Sequence, residues 1–300
     1  MNSDKTVYVI AGPTAVGKTA IAIALAKKLD TEIISADSRQ CYREMSIGTA
    51  KPTKEELTQV HHYFINSHSV TEELNAADYE KLALTYLEEI FKQHDTAVVC
   101  GGTGLYIKAL CEGIDEMPEV DNTVEEEIQA QFKEQGIEWL QNAVKEEDPS
   151  FYETGEIQNP VRLIRALTFV RSTGESITAY RTGQKKERPF NVVKIALEMP
   201  REVLYDRINR RVDLMMQEGL LEEAKTLYTQ KGLKNLQTVG YQELFEYMDG
   251  KCTLEDAVDK IKQHSRNYAK RQLTWFRKDK EYRWLDASSD IIVKEIINNK

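Results

Sequence analysis

Three hundred residues, 41% of them hydrophobic and 30% charged, can form one large domain or two small ones, and they exclude a disordered chain. No apolar run approaches the ~20 residues of a membrane-spanning helix, so we expect no membrane partner. The net charge of −9 is uneven, because residues 112–157 carry 15 acidic and 2 basic side chains, whereas residues 260–283 carry nine basic and two acidic ones. This asymmetry predicts an acidic, solvated lobe and a basic surface that suits a nucleic-acid partner.

Short apolar runs alternate with helical patterns through most of the chain. The predicted strands lie at residues 7–11, 32–36, 97–100, 192–199 and 282–285. Helical spacing is clearest at residues 20–29, at 76–92 and in a long basic segment at 254–278. The predicted fold class is therefore α/β, with a P-loop NTPase-like parallel sheet flanked by helices.

The middle of the chain interrupts this alternation. Three helical segments, at residues 122–135, 137–146 and 158–173, follow one another without an intervening strand. We therefore predict a catalytic core formed by residues 1–114 and 190–300, with a helical insertion domain at 115–189.

The cysteines and histidines form no metal-binding or disulfide pattern. Four cysteines lie far apart without a C-x-x-C pair, which favours a reduced, cytoplasmic protein. His61 and His62 are adjacent, and neighbouring side chains point in different directions in a strand or a helix. A structural or substrate-side role is favoured over a metal site for this pair.

Residues 12–19 match the phosphate-loop pattern G-x-x-x-x-G-K-[ST] in full, between a predicted strand and a predicted helix. The residues are Gly12, Pro13, Thr14, Ala15, Val16, Gly17, Lys18 and Thr19. In such a loop the backbone N–H groups and the helix dipole converge on an anion. Lys18 adds a cation and Thr19 a hydroxyl ligand for Mg²⁺, so the loop is expected to bind a diphosphate or a triphosphate.

The acid that holds Mg²⁺ in many nucleotide hydrolases is missing from its usual place. The strand at 97–100 is followed by Gly101-Gly102-Thr103-Gly104, which offers close backbone approach and one hydroxyl but no carboxylate. Asp37 instead follows the strand at 32–36, at the edge where parallel sheets bind ligands. From the residues alone, a functional role of Asp37 beside the phosphate loop and a structural role, as a helix N-cap or a Mg²⁺ ligand, carry equal weight.

The carboxyl-terminal third carries two groups of basic residues. Arg207 and Arg211 share one helical face, where they repel unless an anion lies between them. Residues 264–278 mix arginine and lysine with Tyr268, Trp275 and Phe276, a composition that suits RNA loops. The alternative is an amphipathic helix whose three aromatic residues face the core.

The chain at this point resembles the tRNA dimethylallyltransferase family over nearly its whole length. The resemblance rests on five stretches in order, which are residues 12–19, 37–52, 101–106, 239–243 and 268–276. It implies a Mg²⁺-dependent enzyme that prenylates adenosine 37 (tRNA numbering), with dimethylallyl diphosphate in the phosphate loop and the tRNA anticodon stem-loop as partner. We expect a monomer.

The resemblance also implies roles for individual residues. Asp37 would be the general base, Thr103 would lie beside the transfer site, and Lys18 with Thr19 and Mg²⁺ would hold the diphosphate together with Arg207 or Arg211. The tRNA contacts would come from Asp37, Ser38, Arg39, Gln40, Thr103, Arg162 and Arg165. The basic segment adds Lys270, Arg271 and Arg277 to the expected RNA contacts.

Two departures from the family pattern and two other functions stay open. Relatives commonly carry an arginine near Glu125, which cannot make its phosphate contact, and a glutamate where this chain has Thr168. A P-loop kinase acting on a nucleoside or another small metabolite would explain the loop, the sheet and the insertion, but not the basic segment. An RNA-binding NTPase would explain the basic surface. Neither the NTPase nor the kinase explains why a metal-binding carboxylate is missing after the strand at 97–100.

Overall fold

The computed structural model describes residues 4–298, and within them six parallel strands form one sheet in the order β3-β2-β4-β1-β5-β6. The strands are Thr6–Ala11 (β1), Ile33–Ser35 (β2), His62–Tyr63 (β3), Thr96–Gly101 (β4), Asn191–Glu198 (β5) and Arg283–Asp286 (β6). This sheet confirms the predicted parallel α/β fold. The sequence missed β3, because two residues are too few to show an alternating pattern.

Helices flank the strands and fill the connections between them. They are Lys18–Leu29 (α1), Lys54–Gln59 (α2), Ala76–Ile90 (α3), Gly104–Glu112 (α4), Asn122–Glu147 (α5), Pro149–Thr154 (α6), Pro160–Thr173 (α7), Ile177–Tyr180 (α8), Arg201–Glu218 (α9), Leu220–Leu227 (α10), Tyr241–Met248 (α11), Leu254–Lys278 (α12) and Ile292–Asn298 (α13). None of these helices, all within residues 4–298, is long and apolar enough to cross a membrane.

The residues of the central strand β1 show that the sheet is covered on both faces. Val7, Val9 and Ala11 point into one apolar cluster, and Tyr8 and Ile10 point into a second. All five are fully buried. When the residues on both faces of a strand are buried, its sequence is a continuous apolar run, which is typical of parallel sheets.

The chain divides into two compact units. One is formed by Met1–Gly113 and Glu187–Lys300, and the other is Ile114–Lys186. The second unit has its own core, formed mainly by α5 and α7. The range of α5 contains two helices separated by Gly136, whose φ of +78° and ψ of −171° are not helical, in agreement with the helices predicted at 122–135 and 137–146.

Candidate functional site

The phosphate loop begins where β1 ends and leads directly into α1. Gly12 has a φ of +146°, and a Cβ there would lie 2.9 Å from the Leu197 carbonyl oxygen, so only glycine fits. Gly17 has a φ of +107° immediately before α1. Between them Ala15 adopts a left-handed φ of +65°, of the kind that makes successive N–H groups face one anion. The loop is therefore shaped for phosphate oxygens at the start of α1.

Lys18 is the first residue of α1, and its side chain turns back over the loop. Its Nζ donates hydrogen bonds to the Gly12 carbonyl at 3.0 Å and to the Pro13 carbonyl at 2.8 Å. Burial lowers the pKa of Lys18 to about 8, even though Cys100 and Asp37 both favour the charged form. A bound phosphate would compensate this buried ammonium group.

Two arginines on α9 reach the same loop. A Cβ added to Gly17 would lie 3.7 Å from Nη2 of Arg207, and Nη1 of Arg211 donates to the Thr14 hydroxyl at 3.5 Å. The pKa of Arg211 is lowered by burial and secondly by the neighbouring Arg207. Repulsion between cations placed this way is relieved when an anion binds between them.

Asp37 lies two residues beyond the end of β2. Its Oδ1 accepts hydrogen bonds from the backbone N–H groups of Arg39 at 2.9 Å and Gln40 at 3.3 Å. Residues 38–41 form turns and not a helix, so the alternative of a helix N-cap is wrong. The bonds make an Asx turn, which holds the carboxylate in place beside the turn that follows it.

Thr103 connects the Asp37 turn with the end of β4. Its Oγ1 accepts a hydrogen bond from the Ser38 N–H at 3.0 Å. The ends of β2 and β4 approach closely, because a Cβ at Gly101 would lie 2.2 Å from the Ala36 carbonyl oxygen. Tyr268 of α12 also hydrogen-bonds Thr103, and burial raises the pKa of Tyr268 to about 12. The structure thus brings the Asp37 turn, Thr103 and α12 together.

Gln272 of α12 belongs to this site, and the sequence did not single it out. Its side-chain Oε1 accepts the Thr14 N–H at 2.8 Å, and its Nε2 donates to the Gly102 carbonyl at 2.9 Å. The side chain is buried. Gln272 therefore bridges the phosphate loop and the Gly101–Gly104 turn. A single glutamine inside a basic helix gives no sequence signal, since its role depends on two loops distant in sequence.

Glu223 of α10 is a second residue that sequence reasoning missed. Its carboxylate accepts the N–H groups of residues 46–48, each at 2.9 Å, and the Tyr241 hydroxyl at 2.6 Å. The carbonyls of residues 49–50 in turn accept hydrogen bonds from Nε2 of Gln40. Gln40, predicted as a tRNA contact, is therefore held by the segment that Glu223 organises.

The three cations of α12 that the sequence predicts as RNA contacts are exposed, but its aromatic residues differ from one another. These cations are Lys270, Arg271 and Arg277. Phe276 is fully buried, Tyr268 is half-buried beside Thr103, and Trp275 is 42% exposed. The alternative in which all three aromatic residues face the core is therefore wrong. Arg277 lies 3.5 Å from the Glu198 carboxylate, so its charge is partly compensated.

Arg162 and Arg165 are exposed on α7 of the unit Ile114–Lys186. Arg162 pairs with Glu156 at 2.8 Å, and both arginines lie near Arg181, whose pKa is lowered by burial first and then by them. Glu125 lies on α5 and accepts a hydrogen bond from Gln129 one turn later. Arg162, Arg165 and Arg181 thus form a group of arginines in an otherwise acidic unit.

The described residues contain one cluster of acids that could suggest a metal, formed by Glu112, Asp279 and Glu281. Nζ of Lys194 lies 2.7–2.8 Å from a carboxylate oxygen of each of them. These acids raise the pKa of Lys194, so the ammonium group already occupies the position of a cation. His62 has its Nδ1 2.8 Å from the Val60 carbonyl, which points to a structural role.

Comparison with known proteins agrees with this arrangement. Residues 40–279 match a family model described as IPP transferase. The chain is 49% identical to tRNA dimethylallyltransferase of Christiangramia forsetii, over 92% of each chain. It is 45% identical to tRNA dimethylallyltransferase 1 of Phocaeicola vulgatus, over 98% of each chain.

Solved structures give the same result for the fold. The full-length tRNA isopentenylpyrophosphate transferase of Bacillus halodurans matches with a TM-score of 0.73 and 40% identity, over 98% of this chain and 95% of that one. A eukaryotic dimethylallyltransferase acting on tRNA matches with a TM-score of 0.77 and 26% identity, over 96% of this chain and 75% of that one.

Proposed function

This chain belongs to the tRNA dimethylallyltransferase family, and we propose that it transfers a dimethylallyl group from dimethylallyl diphosphate to N6 of adenosine 37 in the tRNA anticodon loop. Diphosphate is the leaving group. One observation supports this proposal most directly. The phosphate loop and the carboxylate of Asp37, which is held in an Asx turn, lie at the same edge of the sheet. β4 ends in Cys100 and Gly101, where a nucleotide hydrolase has its metal-binding acid.

The phosphate loop serves the leaving group. Negative charge develops on the diphosphate as the allylic C–O bond breaks, and preorganised donors stabilise that charge. Lys18, Arg207 and Arg211 supply the cations, and the loop supplies backbone N–H groups. Because burial lowers the pKa of Lys18 to about 8, binding of the diphosphate strengthens the charged form of that side chain.

Mg²⁺ fits this site as a companion of the diphosphate. The loop offers the Thr19 hydroxyl, and Mg²⁺ readily keeps several waters and phosphate oxygens as its other ligands. When bound, the ion would neutralise charge on the leaving group. The three acids around Lys194 do not suit Mg²⁺, since the Lys194 ammonium group already lies between them.

Asp37 removes the proton from the attacking amine. An exocyclic adenine amine is a weak nucleophile, so a carboxylate within hydrogen-bond reach assists as the new bond forms. The Asx turn uses Oδ1, which fixes the side chain and orients Oδ2. Thr103 holds the following Ser38 N–H and lies beside the transfer site.

Recognition of tRNA uses exposed cations together with the Asp37 turn. We place the phosphate contacts at Lys270, Arg271 and Arg277 of α12 and at Arg162 and Arg165 of the insertion. Ser38, Arg39 and Gln40 contact the anticodon loop beside Asp37. A base must leave its stack to reach the Asp37 carboxylate, and an unpaired loop adenine does so at the lowest cost.

The direct test is to incubate the full chain with Mg²⁺, dimethylallyl diphosphate and unmodified tRNA, then digest the RNA and look for prenylated adenosine. We expect product with wild type and none with Lys18→Ala. A parallel reaction with ATP measures hydrolysis or phosphorylation of small molecules. ATP turnover that Lys18→Ala abolishes, without prenylated adenosine, would favour the kinase instead.

A further inference from the structure

The segment at residues 46–50 is anchored to α10 by one carboxylate. The N–H groups of residues 46–48 all donate to Glu223 at 2.9 Å, and the Tyr241 hydroxyl donates to the same carboxylate at 2.6 Å. Hydrogen bonds to an ionised acceptor are roughly twice as strong as neutral ones. A Cβ at Gly48 would lie 2.6 Å from the Tyr241 ring, so the ring packs directly against this backbone. Glu223 therefore sets the position of the first half of the segment.

The second half of the segment contacts the side chain of Gln40. Nε2 of Gln40 donates to the Thr49 carbonyl at 3.2 Å and to the Ala50 carbonyl at 3.1 Å. Ala50 has a φ of +48°, a conformation that costs free energy outside glycine and persists only where surrounding contacts maintain it. The backbone N–H of Gln40 donates to Oδ1 of Asp37 at 3.3 Å. A continuous series of contacts thus runs from Glu223 to the Asp37 carboxylate.

From these contacts we propose that Glu223 is a positioning residue for Asp37, and that it acts through residues 46–50 and the side chain of Gln40. Fixing the N–H groups of residues 46–48 fixes the two carbonyls that follow them. Those carbonyls hold Gln40, whose own N–H holds Oδ1 of Asp37. The inference rests on the proposed function, in which Asp37 takes the proton of the attacking amine. The competing explanation is local, with Glu223 stabilising its own segment and nothing beyond it.

Amide hydrogen exchange on the full chain separates these two explanations, because it reports how often each N–H loses its acceptor. Wild type is compared with Glu223→Ala and Glu223→Gln. In Glu223→Ala the amides of Arg39 and Gln40, which face Asp37, should exchange about tenfold faster, together with those of residues 46–48. Glu223→Gln keeps the volume and one carbonyl oxygen, so its effect should be smaller and in the same direction. The amides of β1 should exchange at the wild-type rate in both variants.

The same variants are then compared in prenyl transfer at saturating tRNA and dimethylallyl diphosphate. Glu223→Ala should lower kcat by about tenfold, since a base displaced from its position loses efficiency. The dissociation constant of pyrophosphate should stay within about twofold of wild type, because the phosphate loop is held by other contacts. Gln40→Ala should lower kcat by a similar factor. The double variant should lose no more than the more affected single variant, since both act through the same contacts.

The matched control is Glu222→Ala, which removes an exposed neighbour on α10 that pairs with Lys225 and should change neither exchange nor kcat. If Glu223→Ala does not fold, Glu223→Gln decides the question. Wild-type exchange at Arg39 and Gln40 in the folded variants, or losses of kcat that add in the double variant, would overturn the inference. Exchange needs no prenyl transfer, so a wild-type protein that leaves tRNA unmodified would contradict the proposed function alone.

Discussion

The cations at the phosphate loop and those on α12 are the same residue types in opposite surroundings. Lys18 and Arg211 are held at the loop, and burial lowers the pKa of each. Lys270 and Arg271 are exposed to solvent. A partly buried cation has lost some of its hydration and is stabilised when an anion binds beside it, whereas an exposed cation offers a constant charge that salt screens. Under the proposed function, the first pair of cations serves the leaving diphosphate and the second pair serves RNA phosphates.

The largest expected effect is at the acid beside the buried cations. Asp37→Asn should lower kcat by roughly 10²–10⁴, the usual contribution of a positioned base, and leave tRNA and diphosphate affinity nearly intact. Asparagine can still accept the N–H groups of Arg39 and Gln40, so the turn should survive. The measurement is single-turnover and steady-state prenyl transfer at saturating substrates.

The matched control for this variant is Asp30→Asn. Asp30 is exposed at the end of α1 with a φ of +49°, a conformation that asparagine tolerates well. It should transfer prenyl groups at the wild-type rate. An Asp37→Asn enzyme with a kcat within about threefold of wild type would show that another group removes the proton.

The sheet and the phosphate loop could be predicted from the sequence, whereas two side chains that organise the site could not, for the same reason in both cases. The phosphate loop and the strand before Asp37 are local patterns, so residues 12–19 and 33–35 are readable from the chain. Gln272 and Glu223 act through backbone groups of distant loops. Their side chains are ordinary in sequence, and only the fold shows which N–H groups they accept.

The hydrogen bonds that link Gln272 of α12 to the phosphate loop can be disrupted by a substitution at Gly102. Gly102→Ala should destabilise the protein by about 1–3 kcal/mol, because its methyl group would displace the Gln272 amide from its hydrogen bonds to Thr14 and Gly102. Pyrophosphate binding should weaken as well, since Gln272 positions the loop through Thr14. Thermal unfolding and calorimetry measure the two effects. Gly232→Ala, where a Cβ meets nothing within 4 Å, is the control and should change neither.

The role proposed for the exposed cations of α12 can be tested by the salt dependence of tRNA binding. Neutralising Lys270, Arg271 and Arg277 together should flatten the dependence of tRNA affinity on salt, by roughly 0.7–0.9 in the slope of log K against log salt for each lost phosphate contact. Arg277 should contribute least, because Glu198 already lies 3.5 Å away. Binding of unmodified tRNA across a salt series gives the slope.

The control for the salt series removes an equal charge elsewhere. The triple alanine variant of three exposed lysines on α1 and α3 should keep the wild-type slope; these are Lys27, Lys28 and Lys81. Equal slopes for the α12 variant and wild type would mean that tRNA does not dock on α12. A slope lowered equally by both variants would mean that net charge, and not this helix, sets the affinity.

The smallest expected effect comes from proton binding at Lys18, and it distinguishes a buried cation from an exposed one. The pKa of Lys18 is lowered to about 8, so its ammonium form predominates below pH 8 and is lost as the pH rises above it. Because the charged form binds the anion, pyrophosphate affinity should fall by about tenfold between pH 7 and pH 9. Lys18→Met carries only the titration of pyrophosphate itself, so the difference between the two curves isolates the lysine. A difference that stays flat over this range would mean that the ammonium keeps the pKa of an exposed lysine, and the contrast with α12 would then lie in position and not in burial.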